Sequence, residues 1–121
     1  GDIHTAWAMD ITPDPMSDGY DPVTGRGSLA VEFVTTSVTS PGPKGEPADL
    51  QKRELDLVKD RPHMQYVNLR EHGYLLLDID AERTRGEFWY VDSILERGGA
   101  ERLGAAYVTE NGTNHLIVDE A

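Results

Sequence analysis

Apolar and polar positions along the chain sort it into short alternating runs with one helical interruption. Ala6–Ile11 reads as a short strand. In residues 28–40, Leu29, Val31 and Phe33 alternate with Ala30, Glu32 and Val34, in a stretch rich in Val, Thr and Phe that meets no Pro until Pro41. Both of its faces are partly apolar, which predicts an interior strand. Residues 47–60 follow another period: Pro47 suits a first helical turn, Leu50, Leu57 and Val58 fall on one face, and Pro62 ends the run. This predicts a helix of roughly three turns. From Met64 the pattern becomes that of an antiparallel meander: a strand over 64–69, a tight turn at 70–73, a return strand over 74–79 and a third over 85–95 carrying Phe88, Trp89, Tyr90 and Val91. Those aromatics read as core and cross-strand pairs, not as a ligand platform. Gly98-Gly99 breaks the run, 100–108 reads as a final short strand, 110–114 as a turn, and the last three residues as a frayed tail.

Between the elements lie two breaker-rich segments. Residues 12–26 hold Pro13, Pro15, Pro22, Gly19 and Gly25, and residues 40–47 spell SPGPKGEP. Asp10, Asp14, Asp18 and Asp21 invite a calcium-loop reading, but the D-x-D-x-D-G register is missing, so a solvated loop is expected. The fold class that emerges is α+β and β-dominated, an antiparallel meander plus one helix.

Composition narrows the function. The length of 121 residues fits one domain, and a hydrophobic share of 38% is low for a self-sufficient globule. With 22 acidic against 11 basic residues the formal net charge is -11, which disfavours nucleic acid and anionic membrane as partners. It also repels phosphate esters unless a metal inverts the local field. The absence of Cys excludes disulfides and thiolate metal sites. No apolar run approaches a membrane span and no leader segment is recognised. No Ser stands in a G-x-S-x-G elbow, and no Gly-rich run leads into G-K-[ST].

The strongest chemical statement is the opening Gly1-Asp2-Ile3-His4. On an extended backbone a carboxylate and an imidazole two residues apart project the same way, and such a pair can grip one divalent ion or part of a bimetal site. The competing reading is an Asp–His hydrogen bond at a chain end. Glu32 likewise has two readings, an edge carboxylate paired with Arg26 or another base, or a group orienting a metal-bound His; the first is preferred. His63 and His72 are expected to face solvent. Asn111-Gly112-Thr113 satisfies a glycosylation sequon but reads better as a hairpin turn.

Four blocks in order, GDIHTAWAMDI, SLAVEFVTTSVTSPG, HMQYVNLREHGYLLLDIDAERTRGEFWYVDSI and the closing ENGTNHL, resemble the C-terminal portion of the alkaline phosphatase D family of calcineurin-like metallophosphoesterases. The resemblance implies that Asp2 and His4 are metal ligands, the last block of a larger set, with Trp7 beside them. His115 matches the family's N-H-L ending without an assigned role. It implies a fold that is the C-terminal part of a four-layer α/β/β/α sandwich, with residues 1–11 as metal motif and strand, 12–27 as loop, and 28–121 as strand, helix and meander. It implies hydrolysis of phosphodiesters or phosphomonoesters, with calcium and iron favoured as metals and manganese or zinc as alternatives, in the periplasm or outside the cell. The earlier metal blocks do not stand in this chain, so the missing N-terminal part of the same enzyme is an expected partner. The chain alone is expected to be inactive and prone to self-association, and no side chain in it is assigned a catalytic role. The alternative is a non-catalytic acidic β-rich binding or assembly module.

Overall fold

The computed structural model describes residues 2–120. The chain forms β1 (Ala6–Ile11), β2 (Ala30–Val34), α1 (Pro47–Asp60), β3 (Met64–Asn68), β4 (Gly73–Ile79), β5 (Arg83–Val91), β6 (Glu101–Glu110) and β7 (Ile117–Val118). These make two antiparallel sheets, ordered β2-β1-β3 and β4-β5-β6-β7. In the first, Trp7 stands opposite Val34 on one side and Val67 on the other. In the second, Leu75 faces Phe88, and Phe88 faces Ala105, with a bulge just after Phe88.

The core lies between the sheets. Along β1 burial alternates, and the inward positions Ala6, Ala8 and Asp10 are fully buried. Two of these are alanines, so the opposing sheet can bring large side chains close: Phe88, Tyr90 and Leu116 complete the buried cluster, ringed by Val31, Phe33, Tyr66, Leu75, Ala105 and Tyr107. Tyr66 anchors the contact, its ring 5.0 Å from Phe88 and 5.7 Å from Tyr107, its hydroxyl 2.7 Å from that of Tyr90. Burial of these phenols pushes Tyr66, Tyr90 and Tyr107 upward in pKa. Gly86 sits where Phe33 of the other sheet packs against β5; any Cβ there would overlap the ring.

Helix α1 starts on Pro47 as the sequence predicts and packs against β3. Its inward face differs from expectation. Leu50 and Glu54 are buried, whereas Val58 is 38% exposed. Glu54 accepts the Leu69 backbone N–H at 2.7 Å and the Arg70 guanidinium at 3.1 Å, so the helix is held by a satisfied charge where an apolar contact was expected.

Three further expectations change. The strand over 28–40 shrinks to five residues and is an edge, not an interior strand: after Val34 the chain leaves β1 to build the loop over residues 35–46. The turn at 70–73 is a crossover rather than a hairpin, because β3 pairs with β1 while β4 opens the other sheet; the meander proper is β4-β5-β6. The final strand is ten residues long and is followed by β7; of the three residues expected to fray, Asp119 is held in place and Ala121 lies outside the described residues. Asp119 donates its N–H to Ala106 O at 2.8 Å and accepts from Arg85 Nε at 2.5 Å.

Candidate functional site

Asp2 and His4 precede β1, and their backbone is not extended. Both have positive φ, 63° and 57°, so the alternation argument that put them on one face does not hold. Left-handed backbone costs a non-glycine residue roughly 1–2 kcal/mol, although Asp and His occupy it more readily than most. The turn it creates brings His4 under the loop that follows β2. There His4 Nδ1 lies 2.8 Å from the carbonyl oxygen of Pro41. A carbonyl can only accept, so Nδ1 carries the proton, and in the neutral ring Nε2 keeps its lone pair. The Asp2 carboxylate is exposed and makes no hydrogen bond to another described residue. The Asp–His hydrogen bond expected as the alternative is therefore not formed. What the motif presents is one anionic oxygen donor and one imidazole nitrogen donor.

Such a donor set suits a divalent ion, and a backbone carbonyl on the far ring nitrogen is the usual support of a metal-bound His. Among the described residues no group of three or more His, Asp or Glu side chains converges as a metal site. Trp7, the expected neighbour, bonds through Nε1 to Thr5 Oγ1 at 2.6 Å, just past the motif. Glu32 is exposed on the edge strand, and Arg26 reaches instead to the Asp18 carbonyl at 3.2 Å.

The opposite end of β1 carries a second Asp–His pair, which sequence reading missed. Asp10 is fully buried and receives three donors: Tyr20 OH at 2.9 Å and His115 Nδ1 at 2.7 Å on Oδ2, and the Leu116 backbone N–H at 2.9 Å on Oδ1. His115 Nε2 lies 3.3 Å from the Val23 carbonyl. Burial, then the adjacent Asp10 charge, pushes the Tyr20 phenol upward. Gly25, with φ of 77°, is the floor on which the His115 ring lies; a Cβ there would overlap it. The constellation closes the 12–26 loop and the C-terminal segment onto β1. Asp10 is thus no part of a solvated acidic loop, and His115 acquires the role that the sequence left blank. The only foretaste was Asp10 standing at an inward position of an otherwise apolar strand.

Neither His63 nor His72 faces solvent freely. The His63 Nδ1 atom is buried without a partner, and burial, then Arg61, lowers its pKa while Asp10 opposes the shift. His72 Nδ1 lies 3.2 Å from Ser37 Oγ.

A solved structure of PhoD superposes on the whole of this chain with a TM-score of 0.75 and 25% sequence identity. The match takes up 21% of that protein, so this chain spans about a fifth of the relative's length. No curated protein sequence matches. The profile of PhoD-like phosphatases matches residues 1–88, from the Asp2/His4 motif through the first sheet, the helix and into β5. On that match and the shared fold, this chain belongs to the PhoD-like phosphatase family.

Proposed function

We propose that this chain is the C-terminal part of a metal-dependent phosphoesterase and that Asp2 and His4 are two of its metal ligands. The observation that carries the reading is the His4 ring: its Nδ1–H is committed to Pro41 O, which leaves the Nε2 lone pair of the neutral ring available, while the Asp2 carboxylate two residues earlier is exposed and bonds to no other described residue. The residues fit a divalent ion in kind, an oxygen and a nitrogen donor, but not in number. When bound, such an ion supplies a Lewis acid and an activated water for attack on phosphorus. His4 would hold its ring in a fixed orientation and Asp2 would add the negative charge. Calcium and iron are the favoured metals, manganese or zinc the alternatives.

Several parts of the reading follow from the ligand count. Two protein donors are too few for a hydrolytic centre. The isolated chain is expected to bind metal weakly and to turn over no substrate. The remaining ligands would come from an N-terminal part of the same enzyme, with residues 1–121 forming one unit of the joined domain. The proposed substrate class, a phosphate diester or monoester handled outside the cytoplasm, rests instead on membership of a phosphatase family. Exposed Leu76, Leu77, Ile79 and Leu103 on the four-stranded sheet make self-association of the isolated chain an expected consequence.

The competing reading is an acidic, non-catalytic β-rich module. The observation in its favour is that the other Asp–His pair of this chain, Asp10 with His115, is consumed in holding segments together. One substitution separates the two. His4→Ala in the full-length enzyme should lower metal-dependent hydrolysis of bis(p-nitrophenyl) phosphate by about 100-fold or more, beyond the range of outer-shell changes. Unchanged turnover would remove His4 from the site.

A further inference from the structure

The Pro41 carbonyl that meets His4 belongs to a loop held by a short relay of hydrogen bonds. Ser37 Oγ lies 2.6 Å from the Ser40 carbonyl oxygen and 3.2 Å from His72 Nδ1. The carbonyl can only accept, so the Ser37 proton goes to Ser40 O. Ser37 Oγ must then accept from His72, whose Nδ1 carries the proton. His72 is itself fixed, because its carbonyl accepts the Val91 N–H at 2.9 Å from the end of β5, and the next N–H, of Gly73, donates to Ser37 O at 3.2 Å. One residue earlier, Thr36 Oγ1 donates to Glu71 O at 3.2 Å. At the other end of the loop Gly42 passes so close over His4 that a Cβ would stand 3.1 Å from the His4 carbonyl oxygen. The relay therefore runs from β5 through His72, Ser37 and Ser40 to Pro41, and ends on the ring of His4.

We infer that Ser37 and His72 are positioning residues for His4: they hold the 36–41 loop so that the Pro41 carbonyl selects the His4 tautomer with its proton on Nδ1. This deepens the proposed metal site and rests on it for its functional meaning, but the tautomer itself can be observed without metal. An unconstrained neutral imidazole prefers the proton on the other nitrogen, so selection is measurable.

The experiment is long-range proton–nitrogen NMR on the labelled 121-residue chain at a pH well above the ordinary imidazole value of about 6.5. His4 and His72 are both expected in the Nδ1–H form. Ser37→Ala should lower the His4 Nδ1–H population at least about twofold, and Ser37→Thr, which keeps the hydroxyl, should restore it. In the full-length enzyme Ser37→Ala should weaken metal affinity about 10-fold. A general loss of stability would not by itself move a tautomer. His4 found in the Nε2–H form in the unaltered chain, or a tautomer indifferent to Ser37→Ala, overturns the inference. A correct tautomer together with unchanged hydrolysis in His4→Ala supports the positioning and sinks the metal reading alone.

Discussion

Strand β1 has an Asp–His pair at each end, and the two pairs have opposite fates. Asp2 and His4 are two residues apart in sequence, sit on left-handed backbone and do not bond to each other. Asp10 and His115 are 105 residues apart and meet at 2.7 Å in a site where Asp10 has no exposed surface. The first pair keeps a carboxylate and a ring nitrogen open. In the second, both carboxylate oxygens are engaged, by Tyr20 and His115 on one and the Leu116 N–H on the other. The same two residue types are thus left with free donor atoms or locked into a clasp according to the partners around them. Proximity in sequence does not make the first pair bond to each other, and burial is what locks the second.

The comparison breaks most easily at the closed pair. Asp10→Ala leaves Tyr20 OH, His115 Nδ1 and the Leu116 N–H without their acceptor, and each buried donor left unsatisfied costs about 1–3 kcal/mol, so a loss of several kcal/mol is expected. Denaturant unfolding should register that loss, with Tyr20 and the 12–26 loop released first in hydrogen exchange. A change below about 1 kcal/mol would mean that the carboxylate is not holding those segments. Gly25→Ala should come next, at about 2 kcal/mol, since it combines left-handed backbone with overlap of the His115 ring. Tyr20→Phe removes one of three donors and should cost about 1 kcal/mol, read from the same unfolding curves.

His63 gives a smaller, pH-dependent effect at the edge of the clasp. Its pKa in the folded chain lies below the ordinary 6.5, because burial and Arg61 disfavour the charged ring. Falling pH therefore protonates the unfolded chain first, and stability drops from about 6.5 downward until the folded ring also titrates. Above that window the ring is neutral in both states and contributes no slope. His63→Leu should flatten this part of the stability profile between about pH 7 and pH 5, leaving the slopes of other groups in place. A wild-type-minus-variant difference that does not change with pH would exclude His63 as its source.

How much of this was legible depends on the range of the interactions involved. The helix start at Pro47, both breaker-rich loops and the strands β1, β3, β4 and β5 follow from local period and turn chemistry. Sheet membership does not: nothing in the 70–73 turn distinguishes a hairpin from a crossover, and β3 pairs with β1, far earlier in the chain, a partner that no local pattern announces. Nothing local marks Glu54 as a buried carboxylate, since its partners, Leu69 N–H and Arg70, lie 15 and 16 residues away. The Asp2/His4 motif was visible as chemistry, but its geometry was not. The extended backbone assumed for it is replaced by two left-handed residues, and the partner that orients His4 comes from 37 residues further on. Long-range partners have no local signature, and both Asp–His pairs owe their character to such partners.

The open pair should contribute least to stability, and that is the sharpest check on the contrast. At His4, with φ of 57°, glycine would relieve about 1 kcal/mol of left-handed strain while giving up one half-exposed hydrogen bond of about the same worth. The two terms nearly cancel, so His4→Gly should change the unfolding free energy by less than about 0.5 kcal/mol. Asp2→Gly should behave likewise or stabilise slightly, because its carboxylate has no described partner to lose. Non-glycine side chains held at two left-handed positions for no gain in stability are what a site kept for chemistry would display. If His4→Gly instead cost several kcal/mol, comparable to Asp10→Ala, the first pair would be a clasp like the second. The open Nε2 would then be an accident of packing, not an offered ligand.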